Sequence, residues 1–310
     1  MPQSSAFEYL RHGQTPFFRL PAVDTLAEKI DAVVLGVPHD GGTTYQPGAR
    51  FAPYHVRRTS GLVQGYHPTH RVDVFSKLNA VDGGNVVFPP FDRAAMREAV
   101  TAMIGDVIAK GAVPFVVGGD HSISAPILRA MAAAHGPLAV LHIDAHLDTS
   151  GPEAWGDDHH HGTPIRHALD NGWIAPGALA SVGIRGPWGS AAECALVRRH
   201  DALVASPDDL AERGIARVVS ELRERFANRA VYITLDVDGL DPAFAPGTGT
   251  PVPGGLTTRE LLRVLRGLAG LEVVGMDVVE IAPALDHADL TSHLGAHLLF
   301  EGLALLAVRT

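Results

Sequence analysis

Short apolar, β-branched runs recur along the whole chain, at 31–37, 78–82, 113–117, 138–144, 180–184, 202–205, 230–236 and 273–279. Several are apolar on both faces, the pattern of strands buried in a parallel sheet. Helical patterns lie between many of them. One covers 92–110, with Asp92 as cap and Gly111 as stop; others cover 126–134, 210–225, 257–268 and 289–308. Thr257 ahead of Glu260 reads as a capping box. This alternation predicts right-handed crossovers and helices on both faces of a mostly parallel sheet of about eight strands. No linker, repeat or shift in composition divides the 310 residues, so 1–310 is expected to be a single α/β domain.

Composition narrows the function. With 46% hydrophobic and 19% charged residues, the chain has enough apolar content for a sizeable core. The formal charge is −9 and Lys and Arg form no runs, which argues against a partner held through nucleic-acid phosphates. Cys194 is the sole cysteine, so no internal disulfide is possible, and it reads as inert packing. Residues 1–20 mix charged and apolar side chains without a continuous apolar core, unlike a signal peptide. Uninterrupted apolar runs fall short of the ~20 residues of a membrane helix. The expectation is a soluble cytoplasmic protein with no membrane partner.

The chain holds 17 histidines against 5 Tyr and 3 Trp, and their placement is informative. In open parallel sheets ligands bind beyond the carboxyl ends of the strands. Here the run 113–117 leads into Gly118-Gly119-Asp120-His121-Ser122, the run 138–143 into Asp144-Ala145-His146-Leu147-Asp148, and 231–235 into Asp236-Val237-Asp238-Gly239-Leu240-Asp241-Pro242. Three strand ends thus bring His121, Asp144, His146, Asp148, Asp236 and Asp238 toward one rim. On extended backbone, residues two apart share a face, which groups Asp144 with His146 and Asp148, and Asp236 with Asp238. So many carboxylates in an apolar sheet end require positive charge, and Lys and Arg are scarce nearby. Divalent cations remain: four aspartates balance two such ions, and oxygen-rich ligands with two imidazoles suit Mn²⁺, with Fe²⁺, Co²⁺, Ni²⁺ or Zn²⁺ also compatible. Gly118 and Gly119 are read as freeing the chain to turn sharply from strand to ligand.

These three motifs resemble the signatures of the ureohydrolases, the arginase and agmatinase family. The likeness runs from Gly41-Gly42-Thr43-Thr44 through Pro47-Gly48-Ala49-Arg50 to Val279-Glu280-Ile281-Ala282-Pro283. The segment Asp241-Pro242-Ala243-Phe244-Ala245-Pro246-Gly247-Thr248-Gly249-Thr250-Pro251 is similar to the agmatinase-like branch, which includes guanidinobutyrase, guanidinopropionase and proclavaminate amidinohydrolase. The resemblance implies a three-layer αβα arginase-like fold and a homo-oligomer, trimeric or hexameric, with residues 1–30 an extension packing at a subunit interface. It also implies two Mn²⁺ per subunit and cleavage of a guanidino group to urea and an amine by a metal-bridging hydroxide. One ion would take His121, Asp144, Asp148 and Asp236; the other would take Asp144, His146, Asp236 and Asp238. Guanidinium is a poor electrophile, and two metals about 3.5–4 Å apart can supply a strong nucleophile at neutral pH.

The resemblance further assigns proton transfer to His161, with Asp148 part of the catalytic group, and guanidinium binding to Glu280. His159 and His160 stand beside His161 and are expected to be a solvated loop. The loop 149–160, holding Trp155, Asp157 and Asp158, is expected to line the pocket mouth and contact the substrate. It contains Glu153, Asp157 and Asp158 but no Lys or Arg, and position 46 is the uncharged Gln46, which favours a cationic or neutral substrate tail. Arg166 and Arg185 are the candidate cations at that mouth. Three readings follow: a guanidino hydrolase acting on agmatine or a relative, guanidino acids included; a hydrolase of another C–N bond; and a silent binding subunit, which has no need of so charge-dense a site.

Overall fold

The computed structural model describes residues 16–23, 29–187 and 190–309. Eight strands form one sheet in the order β4-β1-β5-β10-β9-β6-β7-β8, every neighbouring pair parallel. They are β1 (Ala32–Gly36), β4 (Ala80–Asn85), β5 (Val113–Val117), β6 (Leu138–Ile143), β7 (Ile174–Val182), β8 (Leu203–Ala205), β9 (Ala230–Asp236) and β10 (Glu272–Val279). A small antiparallel pair, β2 (Tyr66–His67) and β3 (Val72–Asp73), stands apart. Val, Ile, Leu and Ala occupy both faces of the central strands and are buried on both, as their largely apolar runs require.

One face of the sheet is covered by the helices Ala52–Ser60, Ile215–Phe226, Thr258–Arg266 and Leu290–Arg309, the other by Arg93–Ala109, Ser124–His135 and Pro164–Asp170. The layers are therefore αβα, with an apolar core on each side of the sheet. Local signals act as read: the Asp92 carboxylate accepts the Ala95 N–H at 2.9 Å, and Thr257 and Glu260 complete a capping box. One helix does not. The pattern over 210–225 divides into Pro207–Arg213 and Ile215–Phe226, because Gly214 sits at φ 82° and breaks the backbone while the apolar spacing continues across it.

Leu290–Arg309 is the helix read over 289–308. Its 20 residues and mean hydropathy of 1.3 are sufficient for a membrane span, although charged and polar residues interrupt the run. Here 78% of its apolar window is buried, between β5, β10 and Ala52–Ser60, so it serves as a core helix. Of the expected N-terminal extension, residues 1–15 and 24–28 lie outside the described residues. The part that is described packs on its own chain: Phe17 and Phe18 are buried, Phe17 N–H donates to Asp82 at 2.8 Å, and the Arg57 guanidinium lies 4.0 Å over the Phe17 ring. Cys194 is buried beside Leu147, Ile184 and Val197, as expected of packing.

Candidate active site

The carboxyl ends of β5, β6, β9 and β10 converge on one rim. Beyond β5 the chain presses against the segment following β1: Gly119 N–H donates to Val37 O and Asp120 N–H to His39 O. A Cβ on Gly119 would overlap the His39 backbone, so this glycine is required by close approach and not by an unusual turn. A short turn over His121–Ile123 then fixes His121. The turn Val237–Gly239 does the same for Asp238, with Asp236 capping it through the Asp238 N–H at 2.8 Å.

Two donor groups overlap at Asp144. Its Oδ2 is 3.1 Å from His121 Nδ1, which also lies 2.8 Å from Asp148 Oδ2 and 3.5 Å from Asp236 Oδ2. Its Oδ1 is 3.3 Å from His146 Nδ1, which lies 3.1 Å from Asp238 Oδ2. All six residues read from the sequence therefore meet, but not through a shared strand face. β6 ends at Ile143, and Asp148, at φ 51°, turns toward His121 while His146 turns toward Asp238. His142 joins the first group, with Nε2 2.8 Å from Asp144 Oδ2. Its one polar position inside an apolar run carried no sequence signal beyond its residue type.

The four aspartates are buried, and none is paired with Lys or Arg among the described residues. Arg185 directs its guanidinium at the carbonyls of Gly183, Asp238, Gly239, Leu240 and Val252. Burial pushes the Asp236 carboxyl well up, reinforced by Asp238 and Asp144. For His146, burial opposes protonation but Asp238 and Asp144 outweigh it and lift the pKa to about 12. Divalent cations would supply the counter-charge these carboxylates need and take the place of imidazole protons. His121 Nδ1 is the sharpest indicator: it is buried without a hydrogen-bond partner and faces three carboxylates. These donors fit two divalent ions.

His161 sits beside this cluster. Its Nδ1 is 3.1 Å from Glu280 Oε1 and its Nε2 2.8 Å from Thr44 Oγ1. Burial alone lowers the imidazole's pKa, but Glu280 outweighs it and raises the value to about 9. Burial conversely pushes the Glu280 carboxyl up, against the opposing pull of His161. Thr44 was not singled out from sequence, although the Gly-Gly-Thr-Thr motif contains it. His160 is buried, contrary to the solvated loop expected: its Nδ1 accepts the Gly162 N–H at 3.1 Å. His159 is partly buried and stacks on His167 with ring centroids 4.4 Å apart.

A cavity of about 490 Å³ opens above these groups. His146, Asp148, Asp236 and His161 lie in its lining, with Glu153, Trp155 and Glu193 also contributing and no Lys or Arg among the described residues. Asp157 and Asp158 are not in that lining. Asp157 pairs with Arg93, and Asp158 Oδ2 lies 3.9 Å from His167. Arg166 is likewise engaged outside the lining, with Glu153 and Asp170. The acidic residue that sequence reasoning missed is Glu193, which accepts from Ser150 Oγ at 3.3 Å and whose carboxyl is pushed up by burial.

An αβα sheet with a histidine–aspartate cluster at its strand ends that could hold metal ions defines the class of scaffold, and comparison with known proteins places it. The Arginase family profile matches residues 30–304. Proclavaminate amidinohydrolase of Streptomyces clavuligerus is 42% identical over 94% of this chain and 94% of its own, and the mitochondrial agmatinase of Gallus gallus 39% identical over 99% and 89%. The solved structure of the Streptomyces clavuligerus enzyme superposes with a TM-score of 0.90 at 41% identity, covering 97% of this chain and 99% of that one. The chain belongs to the arginase family and is a hydrolase of C–N bonds in linear amidines.

Proposed function

We propose that the chain cleaves the guanidino group of an agmatine-like substrate to urea and an amine at a centre of two Mn²⁺ ions, Ni²⁺, Co²⁺ and Fe²⁺ being chemically compatible. The observation that carries this reading is the division of Asp144, with Oδ2 turned to His121 and Oδ1 to His146. One carboxylate facing two separate donor groups is what a pair of adjacent cations needs. His121, Asp148 and Asp236 complete the first set with Asp144, while His146, Asp236 and Asp238 complete the second. When bound, the ions supply Lewis acidity that makes water nucleophilic near neutral pH.

The remaining residues handle the organic part. Glu280 presents a buried carboxylate beside the cluster, suited to charge-assisted pairing with guanidinium nitrogens. Water adds its oxygen to the guanidinium carbon and the C–N bond to the substrate's carbon chain breaks. The two protons of that water pass to the departing amine, one of them by way of His161, which gives its proton to the amine and regains one from the water. The imidazole is held for this between Thr44 and Glu280. Trp155, Glu153 and Glu193 line the outer cavity, and Glu153 is engaged by Arg166 at 3.7 Å. The carboxyl of Glu193, with no Lys or Arg partner among the described residues, is what supports a cationic tail over an anionic one. The relatives include enzymes named for different guanidino compounds, so the decisive assay is urea release from a panel of agmatine, 4-guanidinobutyrate, 3-guanidinopropionate and a formimino compound. Urea from agmatine supports the reading. Release of only a non-urea product from the formimino compound would replace it with hydrolysis of another C–N bond.

A further inference from the structure

We infer that Asp277 is a positioning residue for the metal centre, acting through the Thr234 hydroxyl to decide which nitrogen of His121 carries the proton. The inference rests on the two-metal reading above. Asp277 lies on β10, fully buried inside the sheet, in register with Thr234 of β9. An aspartate there is costly unless fully hydrogen-bonded. Its partners are three hydroxyls: Thr234 Oγ1 donates to Oδ1 at 2.7 Å, and Tyr232 and Ser124 donate to Oδ2 at 2.8 and 2.9 Å.

The consequence is directional. A threonine hydroxyl has one proton, and Asp277 takes it; the second acceptor within reach, Ser124 Oγ at 3.3 Å, also lies away from His121. Thr234 Oγ1 can therefore only accept from His121 Nε2, 2.8 Å away. Its neutral ring must then carry its proton on Nε2 and a lone pair on Nδ1. That lone pair faces Asp144, Asp148 and Asp236 with no hydrogen-bond partner. Such an arrangement is repulsive unless a cation lies between them, and it presents the tautomer a cation requires. Asp277 touches none of the proposed ligands, yet it sets the one property of His121 that metal binding depends on.

The test compares Thr234→Val, Asp277→Asn and Thr234→Ser with the parent, reading the Mn²⁺ dissociation constant by competition with a chelating dye. The melting temperature of the EDTA-stripped protein is measured alongside. Thr234→Val is nearly isosteric and cannot accept from Nε2; it and Asp277→Asn are expected to weaken Mn²⁺ binding by about 10–100-fold, the usual range for an outer-shell partner. Thr234→Ser is expected to stay within threefold of the parent, and the double variant Thr234→Val/Asp277→Asn to be no weaker than the worse single one. If Asp277→Asn fails to fold, Thr234→Val and its rescue by Ser carry the decision. A Thr234→Val protein that binds Mn²⁺ as tightly as the parent, whatever its melting temperature, overturns the relay. A parent that takes up no Mn²⁺ overturns the two-metal reading itself.

Discussion

Glu280 Oε1 accepts the backbone N–H of His121 at 2.9 Å and lies 3.1 Å from His161 Nδ1. One carboxylate oxygen therefore ties the proposed proton donor to the loop that carries a proposed metal ligand. The Glu280 backbone itself is turned at φ 63°, which swings the side chain off the end of β10 and into this position.

With Oε1 occupied by the protein, Oε2 is the oxygen left to pair with substrate. Glu280→Gln keeps the shape and removes the charge. Losing one hydrogen bond to a charged group costs about 1.5–3 kcal/mol, so kcat/KM is expected to fall by roughly ten- to a hundredfold while metal content stays unchanged. Steady-state kinetics alongside metal analysis checks this. Unchanged kcat/KM would remove Glu280 from the site.

The neighbouring histidines make opposite predictions. His161 pairs with Glu280 and Thr44, whereas His160 is held by the Gly162 N–H within its own loop. His161→Ala should lower kcat by on the order of 10²–10⁴-fold with full metal occupancy. Any effect of His160→Ala should come through loop stability, seen as a lower Tm. If His160→Ala shows the catalytic loss and His161→Ala does not, the proton belongs to the other ring.

Tail selectivity now rests on different residues from those the loop composition suggested. Asp157 is engaged by Arg93 and Glu153 by Arg166, leaving Glu193 as the acidic group of the cavity lining without such a partner among the described residues. Agmatine should be preferred over 4-guanidinobutyrate in kcat/KM, and Glu193→Gln should narrow the ratio by about tenfold, or 1.4 kcal/mol. A parent enzyme preferring the guanidino acid by tenfold would reverse the assignment of tail charge.

Much of the architecture was readable because its signals are local and repeated. Strands apolar on both faces, the Asp92 cap and the Thr257–Glu260 box each state their own structure. All six cluster residues were legible for a related reason, since each follows the end of an apolar run. What escaped depends on three-dimensional packing. The break at Gly214 hides inside a continuous amphipathic pattern, and His142, Thr234 and Asp277 appear in sequence as isolated polar positions in buried strands. That Asp157 and Asp158 lie outside the cavity lining was not legible, because composition shows which charges a loop holds but not which ones Arg93 or His167 engage.

The central claim is that two divalent ions share Asp144 and Asp236. Protein saturated with Mn²⁺, freed of excess metal and analysed for bound ion, should retain two equivalents per chain, and Asp236→Ala should lose at least one together with activity. Binding free energy adds to folding, so stripping the metal should also lower Tm. A parent that saturates at one equivalent or fewer, or an Asp236→Ala variant that stays active and fully loaded, would contradict the account.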